Sequence, residues 1–209
     1  MAKELLLIFE LIGTVAFAVS GAMVGLSKKM DIFGVTVLGI ITAVGGGVIR
    51  DLVLGNTPPA TFQNPVYAVF AIITSIIVFI PAVRRFLFKK QEAYDKIILL
   101  MDSLGLGVFT AVGVETAYLS GHESVFLLVF VGMITGIGGG VIRDVLAGNT
   151  PYIFIKHFYA TASLIGAVFC IIFWKLFGSF AAIYGGAAVV IILRLLAARF
   201  RWSLPKADI

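Results

Sequence analysis

The sequence predicts an all-α polytopic membrane protein with seven transmembrane helices, and three observations lead there. First, 60% of the 209 residues are hydrophobic and 13% are charged; with a mean hydropathy of +1.09 this is far too apolar for an ordinary soluble domain. Second, apolar stretches close to the ~20 residues a helix needs to cross the hydrocarbon core recur at about 5–26, 33–54, 64–83, 97–118, 124–146, 155–176 and 179–198. Third, Gly45-Gly46-Gly47-Val48-Ile49-Arg50-Asp51, continuing to Pro58, returns as Gly138-Gly139-Gly140-Val141-Ile142-Arg143-Asp144, continuing to Pro151. A single transmembrane domain over 1–209 follows, with one repeat at about 5–83, a second at about 97–176 and a seventh helix at about 179–198.

Span 1 opens with Lys3 and a short apolar run, which superficially resembles a cleavable signal. Glu10 interrupts that run, and the segment Glu10 to Gly21 recurs as Asp102 to Gly113, so it reads as a retained helix. Pro58, Pro59 and Pro65 punctuate the connection after span 2, and Pro81 with Arg84, Arg85, Lys89 and Lys90 marks the hinge between the repeats. Gly55 and Gly148 are expected left-handed caps where spans 2 and 5 exit. Gly105, Gly107, Gly185 and Gly186 suit close helix packing, as does the lone Cys170.

All of the 16 Lys and Arg residues except Lys3, Arg50 and Lys175 fall on one side of the membrane. The positive-inside rule makes that side cytoplasmic, with the C-terminus inside and the N-terminus outside. Because each repeat holds three spans, an odd number, the second starts from the opposite membrane face. The duplication is therefore expected to be inverted. The net charge of +5 is scattered between spans rather than gathered in a polar domain, so it reads as topology and not as nucleic-acid binding.

Three successive glycines disfavour a helix, so spans 2 and 5 are expected to break near Gly45–Gly47 and Gly138–Gly140, with Thr42 and Thr135 adding a hydroxyl at each break. Arg50-Asp51 and Arg143-Asp144 put charge at membrane depth, where it is costly and marks pathways. Anchoring at the interface through a snorkelling arginine is the competing reading. Glu10 and Asp102 lie at matching depths, and two ion pairs are expected, Glu10 with Arg50 and Asp102 with Arg143, at opposite ends of one path. The pathway residues are then Thr42, Gly45, Gly46, Gly47, Arg50 and Asp51 with their counterparts Thr135, Gly138, Gly139, Gly140, Arg143 and Asp144. His122 and His157 lack partners at ligand spacing and read as interfacial, not metal-binding. No nucleophile motif, phosphate loop or dinucleotide fingerprint is present, so neither an enzyme nor a bound cofactor is expected.

The doubled Gly-Gly-Gly-Val-Ile-Arg-Asp motif, the seven spans and the inverted repeat resemble the prokaryotic branch of the trimeric intracellular cation (TRIC) channel family, a family also labelled as glycine transporters. The resemblance implies a homotrimer in the cell (inner) membrane, surrounded by lipid, with one path per subunit conducting potassium and, less selectively, sodium. It also implies that spans 2 and 5 line that path. The residues alone leave the sign of the ion open, since half-helix carbonyls favour cations and half-helix amides favour anions. A secondary transporter of a small zwitterion such as glycine is the alternative, and a membrane scaffold explains the small residues but not the paired charges.

Overall fold

The computed structural model describes residues 2–155 and 158–202, all of whose regular structure is helical. The elements are α1 (Ala2–Ser27), α2 (Ile32–Val53), α3 (Ala60–Gln63), α4 (Val66–Phe79), α5 (Pro81–Leu87), α6 (Gln91–Leu119), α7 (Val125–Leu146), α8 (Tyr152–Ile155) and α9 (Ala160–Phe200). Within these, α1, α2, α6, α7 and α9 are long and apolar enough to cross a membrane, and α4 with α5 forms a further candidate bent by 78°. The bend falls at the expected Pro81: Ile80, just before it, is extended at φ −55° and ψ 132°, as the residue preceding proline prefers. Asp31 caps α2 by accepting from the Gly34 amide at 2.7 Å. His157 and Lys156 lie outside the described residues.

The 41-residue α9 is interrupted at Gly178, whose φ of 81° and ψ of −179° are not helical. Its two limbs fold back on each other. Gly166 packs against Val190, Cys170 against Gly186 and Phe173 against Gly185, a register in which one index rises as the other falls. Glycine at Gly166, Gly185 and Gly186 lets the limbs approach closely, as membrane helices require when lipid supplies no hydrophobic drive between them.

Helices α1 and α6 pack at the centre through a reciprocal contact. Phe17 of α1 lies over Gly105, Phe109 of α6 lies over Gly13, and the two rings stack at 5.4 Å. Matching seams attach the next helices, with Gly21 of α1 against Thr42 and Gly39 of α2, and Gly113 of α6 against Thr135 and Gly132 of α7. Positions related by the sequence duplication thus make the same contacts twice.

The expected breaks at the glycine triplets are not formed. α2 and α7 run as continuous helices through Gly45–Gly47 and Gly138–Gly140, and this corrects the reading from the sequence. The helices cross at the triplets with their backbones in contact. An added methyl at Gly46 would fall on the Thr135 carbonyl oxygen, and one at Gly139 on the Thr42 carbonyl oxygen. Close approach, not helix breaking, is what the middle glycine supplies.

Candidate functional site

The three glycines of each triplet serve different neighbours. Gly45 faces Ile142 and Gly138 faces Ile49, where a methyl would sit 3.0 and 3.2 Å from the isoleucine side chains. Gly46 and Gly139 make the crossing. The third position borders the arginine: a methyl at Gly47 would meet only the Arg50 guanidinium, at 3.9 Å, and one at Gly140 would lie 3.7 Å from the Arg143 guanidinium and 2.9 Å from the Tyr159 hydroxyl.

Thr42 and Thr135 do not present hydroxyls to a path. Both are fully buried, donate to the carbonyls of Leu38 and Val131 at 2.6 Å, and face the glycine seams of α1 and α6. Unbroken helices leave these hydroxyls free to back-bond within their own turn.

At one end, Arg143 is fully buried. Its Nε donates to Asp144 at 2.9 Å, and its Nη1 donates to Asp102 at 2.8 Å and to Ser20 at 2.6 Å. Its guanidinium lies 5.1 Å from the centre of the Tyr152 ring. The expected Asp102–Arg143 pair is present as a wholly buried ion pair. Removing one member of such a pair costs about 3–5 kcal/mol because the other charge is left stranded. Asp102 Oδ2, Arg143 Nη2 and the Tyr159 hydroxyl, all buried, find no hydrogen-bond partner among the described residues.

The other end is organised differently. Glu10, Thr14, Gly47, Arg50, Thr61 and Tyr67 line a cavity of about 80 Å³. Arg50 Nε donates to Asp51 at 2.8 Å, but no ion pair joins Arg50 to Glu10. The Glu10 carboxylate instead accepts from the Tyr67 hydroxyl. The expected direct Glu10–Arg50 ion pair is thus not formed, although the two side chains line the same cavity.

Asp51 and Asp144 each divide their two oxygens the same way. One oxygen takes the adjacent arginine, and the other accepts the first amide of the following short helix, Ala60 at 2.9 Å or Tyr152 at 3.0 Å. The carbonyls of Asp51 and Asp144 accept from Asn56 and Asn149 at 2.8 Å, beside the left-handed Gly55 and Gly148. These aspartates fasten the exit loops and hold the arginine stem, so anchoring is their visible task.

Sequence reasoning missed Tyr67, Tyr159 and Ser20. A signal for the tyrosines was present: Tyr67-Ala68 and Tyr159-Ala160 occupy corresponding places in the two repeats. Ser20 carried none, since its counterpart Val112 is apolar. Glu115, buried on α6 and accepting from Ser179 at 3.1 Å beside the α9 fold, was also unread. Among the described residues no group of three or more His, Cys, Asp or Glu is placed to hold a metal.

A helical bundle with two arginine-centred charge clusters at the ends of a crossed, glycine-packed helix pair defines a multi-pass membrane protein with a polar site inside the bundle. A family model described as "Glycine transporter" matches it twice, over residues 7–82 and 99–175. A "UPF0126 membrane protein" of Vibrio cholerae is 39% identical over 203 residues, covering 97% of this chain and 82% of the relative. The "UPF0126 inner membrane protein YadS" of Escherichia coli K12 is 37% identical over 199 residues, covering 94% and 93%. A structure reported as "Structural basis for conductance through TRIC cation channels" superposes with a TM-score of 0.86 at 40% identity, covering 97% of each chain. A "prokaryotic TRIC channel in 0.5 M KCl" gives 0.88 at 31% identity, over 97% of this chain and 100% of the other. The chain belongs to the TRIC channel family, in the prokaryotic group that the glycine-transporter model also describes.

Proposed function

We propose that this protein is a monovalent cation channel, conducting potassium ahead of sodium, with a path inside each subunit along the crossing of α2 and α7. The observation that carries the proposal is the pair of arginine clusters beside Gly47 and Gly140. Arg50 shares a cavity with Glu10, near the start of α1, and Arg143 bonds Ser20. Ser20 lies about 15 Å further along the same helix at a rise of about 1.5 Å per residue. The two clusters thus flank the crossing from opposite sides. Carboxylate oxygens stand at both ends and favour cations: Asp51 bonds Arg50 with Glu10 in the cavity beside it, and Asp102 and Asp144 bond Arg143, where Arg194 also lies 4.7 Å from the centre of the Tyr159 ring. Continuous helices also remove the half-helix amino termini that would favour an anion.

Seven spans, an inverted repeat, a cytoplasmic C-terminus, an inner-membrane location and a homotrimer complete the reading. Support for seven spans comes from α1, α2, the bent α4–α5 pair, α6, α7 and the two limbs of α9. Support for inversion comes from α1 and α6: Asp102, in the first half of α6, lies with Ser20, in the second half of α1, around Arg143. The trimer and the ion follow relatives reported as TRIC cation channels. The glycine-transporter label of the family model favours one second reading, uptake of a small zwitterion. Proteoliposomes loaded with potassium separate the two. Valinomycin-independent potassium efflux supports the channel, and saturable glycine uptake without such efflux overturns it.

A further inference from the structure

The two ends of the molecule hold the same three residue types in two different arrangements. Each repeat supplies an acid on its first helix, Glu10 or Asp102, an arginine near the end of its second, Arg50 or Arg143, and a tyrosine at corresponding places further on, Tyr67 near the start of α4 and Tyr159 just before α9. In the first repeat the acid is held by the tyrosine. Arg50 is left facing a cavity, with Asp51 as its hydrogen-bond partner among the described residues. In the second repeat the acid is held by the arginine at 2.8 Å, the Arg143 side chain is 0% exposed, and the buried Tyr159 hydroxyl has no hydrogen-bond partner among the described residues.

Building on the channel reading, we infer that Tyr67 and Tyr159 are positioning residues that compete with the arginine of their own repeat for its acid. Each end of the path then has an open pairing, acid with tyrosine, and a sealed pairing, acid with arginine. The structure holds one end in each form. The geometry permits the exchange at both ends. Glu10, Arg50 and Tyr67 line one cavity, so Glu10 can turn to Arg50. At the other end, the space that a methyl on Gly140 would fill is bordered by the Tyr159 hydroxyl, the Arg143 guanidinium and Asp102 Oδ1 at 2.9, 3.7 and 3.8 Å, so Asp102 has its second partner within a short side-chain movement. The Tyr159 hydroxyl, without a hydrogen-bond partner among the described residues, points the same way. Buried polar groups are ordinarily satisfied, and here the missing bond is the one its counterpart Tyr67 makes. The duplicated sequence thereby displays both states of one device in a single conformation, as bistable elements biased by a few contacts do.

The test uses full-length protein in proteoliposomes and planar bilayers, with Tyr67→Phe and Tyr159→Phe. Tyr67→Phe removes the competitor and hands Glu10 to Arg50, so open probability falls by roughly fivefold, the population change that loss of one hydrogen bond produces. A cysteine at Thr61→Cys, on the cavity wall, then reacts correspondingly more slowly with a charged methanethiosulfonate reagent; the native Cys170 is buried. Tyr159→Phe lowers open probability while thermal stability is undiminished, because the hydroxyl it removes makes no hydrogen bond among the described residues. A purely structural role for these tyrosines predicts the reverse, stability changes without a gating change. Wild-type open probability in either variant, or an unchanged Thr61→Cys rate in the Tyr67→Phe background, overturns the inference. The reaction rate is read without current, so failure of the channel reading, seen as no potassium current from the wild type, is distinguished from failure of the exchange.

Discussion

A methyl at Gly46 would fall on the backbone oxygen of Thr135, whereas one at Gly47 meets nothing closer than the Arg50 guanidinium at 3.9 Å. Neighbouring glycines in the same run are therefore expected to respond differently to the same substitution. Gly46→Ala and Gly139→Ala are expected to lose about 1–3 kcal/mol through overpacking at the helix crossing, read as a lower midpoint of thermal unfolding in detergent. Gly47→Ala stays within about 0.5 kcal/mol of wild type and acts on conduction instead. At the buried ion pair, Asp102→Ala strands Arg143 and costs about 3–5 kcal/mol, while the double variant Asp102→Leu with Arg143→Leu recovers much of that loss. The sequence made Arg143, Asp144 and Asp102 legible because charge inside an apolar span stands out. It did not make Tyr67 and Tyr159 legible in the same way, since interfacial tyrosines are ordinary in membrane helices and only their match across the repeat marks them.

At the scale of elements, hydropathy placed α2 and α7 to within about a residue of their bounds, whereas α6 begins six residues before the expected start and α9 five residues after it, and Pro81 marked the sharp bend between α4 and α5. The state of α2 and α7 was misread for a physical reason. Glycine weakens an isolated helix, but in lipid every backbone group must be bonded internally, which favours keeping the helix whole, and a facing glycine-rich helix repays its small residues with close packing. The fold of α9 was marked only by a short gap between two apolar runs, and Gly178 supplies its physical cause. Its φ of 81° suits glycine, so Gly178→Ala is expected to cost roughly 1–2 kcal/mol. Loss of stability by thermal unfolding in detergent checks this, and a wild-type midpoint would show that the limbs need no left-handed residue between them.

For the whole molecule, duplication was legible because it needs only identical residues at a fixed spacing, and the reciprocal contacts of Phe17 with Gly105 and Phe109 with Gly13 are what duplication looks like in packing. Pairing was legible at the Asp102–Arg143 end but not at the other, because the choice between tyrosine and arginine as partner for Glu10 depends on three-dimensional positions that the sequence does not display. The proposed inverted topology makes a direct prediction. A cysteine at Glu123→Cys, in the connection after α6, is labelled from outside intact cells by a membrane-impermeant maleimide, whereas Glu92→Cys, near the start of α6, is labelled only after permeabilisation. Labelling of both from one side contradicts the span count. Ion conduction is the central claim, and purified protein in a planar bilayer under a potassium chloride gradient tests it most directly. The account predicts unitary currents that reverse near the potassium equilibrium potential; an electrically silent protein that takes up glycine saturably would contradict it.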